Sequence, residues 1–299
     1  MKPMKRILIT GANGFTGRYL LQYFMQQKTY ELFATSNSTD KYPTQGYEYQ
    51  RLDLTESGNV IAYIQKIQPD VIIHTAAISG IPQCEENPSQ AYSVNVEAVK
   101  TIGTVAKKLA IHFIQLSTDF VFDGKREIPY TEEDIPAPIN EYGKTKLEAE
   151  QWIQKHLTHY AIARVAVVYG KPKDGQHTNI VEIIQSKLSN NEELHLVSDQ
   201  WRTPTYVGDI CQGIHLLIEK EEKGIFHICG SELFSIYELG LYIAKLLGKD
   251  SCLIHPEISN SAFNAIPRPP FTALSNAKAK DILGYNTTTI YDYLVEFRV

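Results

Sequence analysis

Short apolar runs alternate with longer amphipathic stretches through the first two thirds of the chain. Ile7-Leu8-Ile9, Leu32-Phe33-Ala34, Val71-Ile72-Ile73, Phe113-Ile114-Gln115-Leu116 and Val165-Ala166-Val167-Val168 read as buried strands. Between them, residues 18–27, 58–68, 89–109 and 142–156 carry apolar side chains at helical spacing. Strands alternating with helices require right-handed crossovers, so the pattern predicts an α/β fold with a doubly wound parallel sheet. After Tyr169 the alternation breaks at a Gly/Pro/Lys stretch, 170–175. Helices over 178–188 and 207–220, strands over 194–197 and 225–228, and a helical stretch from 235 to 247 follow. A proline cluster comes later, at Pro267, Pro269 and Pro270. These pieces predict a smaller, discontinuous C-terminal lobe of residues 169–202 and 232–299, beside a main domain of 1–168 and 203–231.

Seven residues stand directly after the first strand: Gly11, Ala12, Asn13, Gly14, Phe15, Thr16 and Gly17. Gly11 permits a tight turn, Gly14 lets the backbone approach a pyrophosphate, and Gly17 lets the following helix pack closely. The helix N-terminus then offers N–H groups and a favourable dipole. Strand before and helix after make this a dinucleotide cradle, and the main domain a Rossmann fold. The second strand ends Ala34-Thr35-Ser36-Asn37, with no acid at Ser36 to bond a ribose 2′-hydroxyl. A 2′-phosphate is therefore not repelled, and NADP(H) is favoured, with NAD(H) as the other cofactor this cradle accommodates. Arg18 and Lys41 are the cations available to that phosphate, or else solvated surface charges. Asp53 follows a strand-like stretch and is positioned to accept from the adenine amino group.

Two YxxxK patterns occur, Tyr142 with Lys146 and Tyr169 with Lys173. The first opens a helical stretch, and i,i+4 spacing puts both side chains on one face. The second contains Pro172 and lies in a loop, so its residues share no helix face. A phenol titrates near pH ~10, and a lysine ammonium one turn away lowers that value toward useful acid–base chemistry. Ser117 and Thr118 close the strand before this helix. There Thr118 is placed to hydrogen-bond a substrate carbonyl or alcohol, or to cap the strand end.

Charge and composition narrow the field. The 299 residues carry a net charge of -5, which gives no general attraction to nucleic acid or anionic membrane. Cys84, Cys211, Cys229 and Cys252 form no CxxC pair, so neither a zinc site nor a disulfide framework is expected, and no metal is assigned. The basic start (Lys2, Lys5, Arg6) precedes too short an apolar run for a signal peptide, and no run approaches the roughly 18 residues of a membrane span. A cytoplasmic protein is expected.

Together these residues resemble the extended short-chain dehydrogenase/reductase superfamily. The resemblance runs through the glycine motif, Asp53-Leu54, His74-Thr-Ala76-Ala77, Asn95, the Thr118/Tyr142/Lys146 set and Arg164 to Gly170. Within it, residues 117–124, Arg202-Thr-Pro-Thr205 with Asp209, and residues 268–274 resemble the dTDP-4-dehydrorhamnose reductase (RmlD-like) family. That likeness implies NADPH-dependent reduction of the C4 ketone of a dTDP-4-keto-6-deoxyhexose. Tyr142 would deliver the proton, Lys146 would support it, and Thr118 would orient the ketone. The cofactor would touch Gly11, Asn13, Gly14, Phe15, Thr16, Gly17, Ser36, Asp53, Leu54, Ala76, Ala77, Asn95 and Ser117. The nucleotide sugar would lie against Thr118, Asp119, Phe120 and Tyr142, with Arg202 and Arg268 near its nucleotide or phosphate end. A homodimer is common among such relatives.

Two departures and two alternatives follow from the same likeness. Ala166 and Val167 stand where these reductases often carry an aromatic residue, which leaves the particular hexose open. Phe120 stands where related dehydratases carry an acid, and it cannot act as their base. An epimerase would use a tightly held NAD. A non-catalytic binding subunit, like the regulatory β subunit of methionine adenosyltransferase, would keep the NADP site without turnover.

Overall fold

Hydrophobic strands that need cover on both faces set the architecture. The computed structural model describes residues 4–173, 176–259 and 266–296; Lys2, Gly175 and the last three residues of the expected lobe lie outside them. The first half contains β1 (Lys5–Thr10), α1 (Phe15–Gln27), β2 (Tyr30–Ser36), β3 (Glu48–Arg51), α2 (Ser57–Ile67) and β4 (Val71–His74). Then come α3 (Ile81–Glu86), α4 (Pro88–Tyr92), a π-helical turn Ser93–Glu97, α5 (Ala98–Lys108), β5 (His112–Thr118), α6 (Glu141–His156) and β6 (Tyr160–Val165). The second half contains β7 (Val168–Tyr169), α7 (Ile180–Ser189), β8 (Leu194–Val197), β9 (Trp201–Arg202), β10 (Thr205–Tyr206) and α8 (Val207–Glu219). It closes with β11 (Gly224–His227), β12 (Phe234–Ser235), α9 (Ile236–Leu247), β13 (Ile254–Glu257) and α10 (Ile290–Glu296).

One seven-stranded sheet has the order β11-β6-β5-β4-β1-β2-β3. All pairings from β3 through β5 are parallel, and the fold is the doubly wound Rossmann type. The order reverses between β1 and β4, the place where such sheets open a crevice beyond their strand ends. Two compact units divide the chain. The first comprises Met1–Ser117, Glu141–Ala163 and Ile214–Ile225. Its core packs Leu8, Phe33, Ile72 and Phe113 of the strands against Val60, Ile64, Ile102 and Ile153 of the helices.

The second comprises Thr118–Asn140, Arg164–Gly213 and Phe226–Val299. Its core joins Val181, Ile184 and Leu188 of α7 to Leu239 and Ile243 of α9, Tyr169, and Tyr293 of α10. Local sequence sets the ends of its helices. Asn179 accepts from Glu182 N–H to start α7. Ser235 and Glu238 form a capping box at α9, which Gly248 ends at φ 64°.

Two expected elements differ in detail. The run 165–168 is not one strand: β6 stops at Val165, Val167 turns through a left-handed φ of 39°, and β7 resumes at Val168. Thr205 holds that bend, its N–H donating to Val167 O and its hydroxyl to Ala166 O at 2.7 Å. The long helix expected over 89–109 is broken by the π turn around Asn95. Such turns place a side chain where a regular helix would not.

Candidate active site

The turn after β1 is built to bring two backbones together. Gly11 has φ +72°, and a Cβ there would lie 2.8 Å from Ala76 N. A Cβ on Gly17 would lie 2.2 Å from Gly11 O, so α1 can approach the turn only with glycine at that place. Ala12 N–H donates to Thr35 O at 3.0 Å, and Gly14 N–H to Gly11 O at 2.9 Å. Phe15 and Thr16 open α1, whose Gly14 cap contributes no side-chain bond to the first-turn N–H groups. Those N–H groups point out of the helix end toward any anion placed there. The residues present thus fit the pyrophosphate of a dinucleotide.

Around the turn, side chains organise the loop after β2. Ser36 Oγ accepts from Asn13 N–H at 2.9 Å. The Asn13 amide donates to Thr39 O at 2.8 Å and to Ser38 Oγ at 3.0 Å, and accepts from Lys41 N–H at 3.1 Å. Arg18 is no solvated charge. Buried under this loop, it donates to Tyr47 OH at 3.1 Å and stacks 5.1 Å from the centre of the Tyr42 ring. Tyr47 in turn donates to Asp40 at 2.6 Å. Lys41 is exposed. Asp53 is also exposed and accepts from Thr55 N–H and Oγ1, which holds its carboxyl below the usual range. It borders a cavity of about 450 Å³ lined also by Asn37, Arg51, Asn59 and Tyr63. Leu54 lies in the core.

The same unit holds the tyrosine–lysine pair. Tyr142 and Lys146 sit in the first turns of α6, Tyr142 half-buried and Lys146 3% exposed. Lys146 Nζ donates to Leu116 O of β5 at 2.7 Å. Burial pushes the ammonium down to about 8, with Glu150 opposing that shift. His74, at the end of β4, is fully buried, and Thr10 Oγ1 lies 2.8 Å from its Nδ1. Burial, with the charge of Lys146 adding to it, lowers His74 to about 3, so the imidazole is neutral. Asn95 bridges two segments. Its Oδ1 accepts from Ile78 N–H at 2.8 Å, and its Nδ2 donates to Ile78 O at 3.0 Å and to Thr145 Oγ1 at 3.1 Å. The π turn therefore ties the loop carrying Ala76 and Ala77 to the helix carrying Tyr142 and Lys146. Ser117 is buried next to Leu116.

In the second unit, Thr118 caps a short turn. Its hydroxyl accepts from Phe120 N–H at 3.2 Å and donates to Asp119 Oδ1 at 3.1 Å. Asp119 also accepts from Thr272 and lies 3.4 Å from Arg202 Nε. Burial pushes its carboxyl up, while Arg202 pulls it down. Arg202 is 2% exposed, donates to the carbonyls of Trp201, Pro269 and Pro270, and stands 5.5 Å from the Phe120 ring centre. Asp119 and Arg202 thus hold the 269–272 segment, whereas Arg268 is exposed. Thr10, Thr145 and Thr272 were not singled out in the sequence, although each lies inside or beside a motif that was. Their signal is a hydroxyl at a strand end, between Tyr142 and Lys146, or four residues after Arg268.

Comparison with known proteins places the whole chain in a family. The family model described as RmlD substrate binding domain matches residues 4–297. The chain belongs to that family. This RmlD-family chain is 30% identical to methionine adenosyltransferase 2 subunit beta of Rattus norvegicus, over 94% of its own length and 83% of the relative's. It is 28% identical to a probable low-salt glycan biosynthesis reductase of Haloferax volcanii, over 96% and 95% of the two chains. Its structure superposes on dTDP-4-dehydrorhamnose reductase of Bacillus anthracis in complex with NADP with a TM-score of 0.85. That match covers 98% and 100% of the chains at 26% identity. Among the described residues, no group of three or more His, Cys, Asp or Glu could hold a metal ion, and no helix is long and apolar enough to cross a membrane.

Proposed function

We propose that this RmlD-family chain is an NADPH-dependent reductase of the C4 ketone of a dTDP-4-keto-6-deoxyhexose. The observation that carries the reading is Lys146. It is a buried ammonium on α6, one turn from Tyr142, in the unit that also holds the glycine cradle. Gly11, Gly14, Gly17 and the first N–H groups of α1 would hold the pyrophosphate, Asp53 the adenine, and Lys41 the 2′-phosphate. Bound NADPH supplies the hydride. Tyr142 donates its phenolic proton to the ketone oxygen as that oxygen becomes an alcohol. The Lys146 ammonium stabilises the phenolate left behind, and its pKa of about 8 keeps it mostly protonated at neutral pH. Neutral His74 adds no competing charge. Thr118 is assigned to orient the ketone, and the lobe of 169–202 and 232–299, with Arg268, to receive the nucleotide sugar.

The similarity to an adenosyltransferase subunit supports a second reading, a binding subunit that keeps the cofactor site without turnover. Oxidation of NADPH with dTDP-4-keto-6-deoxyglucose and a 3,5-epimerase, with NADH in parallel, separates the two. Epimerase-dependent oxidation is the expected result. NADPH binding without oxidation of any 4-ketose would overturn the reductase reading in favour of the second.

A further inference from the structure

Two side chains converge on one carbonyl at the end of β5. Lys146 Nζ of α6 donates to Leu116 O at 2.7 Å, and Gln115 Nε2 donates to the same oxygen at 2.8 Å. The sheet explains why that oxygen is open to them. His112 N–H donates to Asp70 O, so alternate residues of β5, Leu116 among them, turn their backbone polar groups toward β4. Register pairs Gln115 with His74, the last residue of β4, so Leu116 has no residue of that strand opposite it. Side chains take the place of the missing ladder donor. Gln115 reaches it from the α6 face, two residues after Phe113, which packs in one core with Ala149 and Ile153 of α6.

The Gln115 amide is only half satisfied. The side chain is 1% exposed, and its Oε1 is buried without a partner. Turning the amide over gives no relief, since Oε1 would then face Leu116 O, acceptor against acceptor. An unsatisfied buried oxygen weakens the fold, and methionine would fill a similar volume without one. What the amide contributes is the second donor to Leu116 O. A carbonyl oxygen has two lone pairs, and a lysine ammonium is a compact donor on a flexible stem, able to take either. With Gln115 on one lone pair, Lys146 has a single place at this oxygen.

We propose that Gln115 is a positioning residue of the site: its amide fills the second lone pair of Leu116 O and so fixes where the Lys146 ammonium stands relative to Tyr142. The proposal rests on the reductase reading for its consequence in turnover, but not for its geometry. It concerns the place of the ammonium, not its charge. Without the amide, the ammonium has two places of similar depth, and only one of them serves the Tyr142 phenolate.

The test uses the full-length protein with carbon-13 lysine, the Lys146 signal being assigned by its loss in Lys146→Met. A stem held in one place puts its two ε-protons in different surroundings, so wild type should show two separate ε-proton shifts on one carbon. Exchange between two places should draw them together in Gln115→Met and in Gln115→Leu. A single shift in wild type, or an unchanged separation in either folded variant, overturns the proposal. Loss of folding in both variants, or a clearly lowered urea midpoint in Gln115→Met, assigns the amide to the fold and overturns it as well. The expected midpoint of Gln115→Met is at or above that of wild type. In turnover, kcat of Gln115→Met should fall at least about twofold, the loss when one of two equal places is productive, with KM for the ketose unchanged. An unchanged kcat beside merged ε-protons would overturn the role in the reaction. A wild type that reduces no 4-ketose would strike the reductase reading alone, since the NMR and urea measurements need no substrate.

Discussion

Replacing Gly17 with alanine isolates the close approach of α1 to the turn after β1. The added methyl would lie 2.2 Å from the Gly11 carbonyl oxygen, 2.8 Å from its carbon and 3.0 Å from Thr75 Oγ1. The first two are backbone atoms, and the hydrogen bonds from Ala12 and Gly14 fix that turn. Neither atom can swing aside as a side chain would. Alanine gains about 1 kcal/mol of helix propensity over glycine, and overpacking a fixed site costs about 1–3 kcal/mol. A contact this far inside van der Waals distance belongs at the upper end, which leaves a net loss of about 1–2 kcal/mol. Gly58 in the first turn of α2 is the control, because no atom lies within 4 Å of its added Cβ. Gly58→Ala should gain about 0.4–1 kcal/mol through the unfolded chain. Urea midpoints should therefore move in opposite directions. NADPH titration should weaken by about tenfold or more in Gly17→Ala only, since about 1.4 kcal/mol of lost contact at the pyrophosphate gives that factor. A Gly17→Ala protein as stable as wild type, with unchanged NADPH affinity, would refute both the close approach and its role in the cradle.

Other substitutions and pH test the remaining assignments. Tyr142→Phe should abolish ketone reduction while leaving NADPH affinity within a few-fold; retained turnover would remove Tyr142 as proton donor. Arg202→Met should cost about 3–5 kcal/mol by leaving Asp119 buried without its cation. A raised KM with an unchanged urea midpoint would instead show that Arg202 contacts substrate. Burial, as the leading cause, holds His74 and His227 near 3 and His112 near 4. Unfolded histidine titrates near about 6.5. With folded values below the unfolded one, the unfolded chain takes up the extra protons. Stability is complete above about 6.5 and falls toward pH 4 and then 3, on the order of 1 kcal/mol per pH unit for each histidine. Equal urea midpoints at pH 7 and pH 5 would contradict the neutral buried imidazoles.

The alternation of apolar runs and amphipathic stretches was enough to place the strands of the main sheet, because a strand buried on both faces must be apolar throughout. The edge strand β3, Glu48–Arg51, carries no such run, since most of it faces solvent. It was visible only as a strand-like stretch before Asp53. The break at Val167 was hidden for the opposite reason. Three valines and an alanine favour extended backbone locally, whereas two hydrogen bonds from distant Thr205 hold the left-handed turn. The π turn at Asn95 is hidden in the same way, because the bonds that use it come from Ile78 and Thr145.

The site was legible to a different depth at each residue. Glycines can be read because their reason is steric and local: Gly11 and Gly17 stand where a Cβ has no room. Tyr142 and Lys146 can be read because helical spacing alone brings them together. The direction of a polar side chain cannot be read this way. Asn13, Ser36, Asn95, Asp119 and Arg202 all stand in motifs that suggest contact with a ligand, yet each has its hydrogen bonds directed to the protein itself. The bonds of Asn13 and Ser36 fix the loop beside the glycine turn, those of Asn95 fix α6 to the loop after β4, and those of Arg202 fix the 269–272 segment. Motif residues of this kind set where the backbone lies. In the proposed reaction the proton is left to Tyr142, whose acidity would depend on Lys146 one helical turn away.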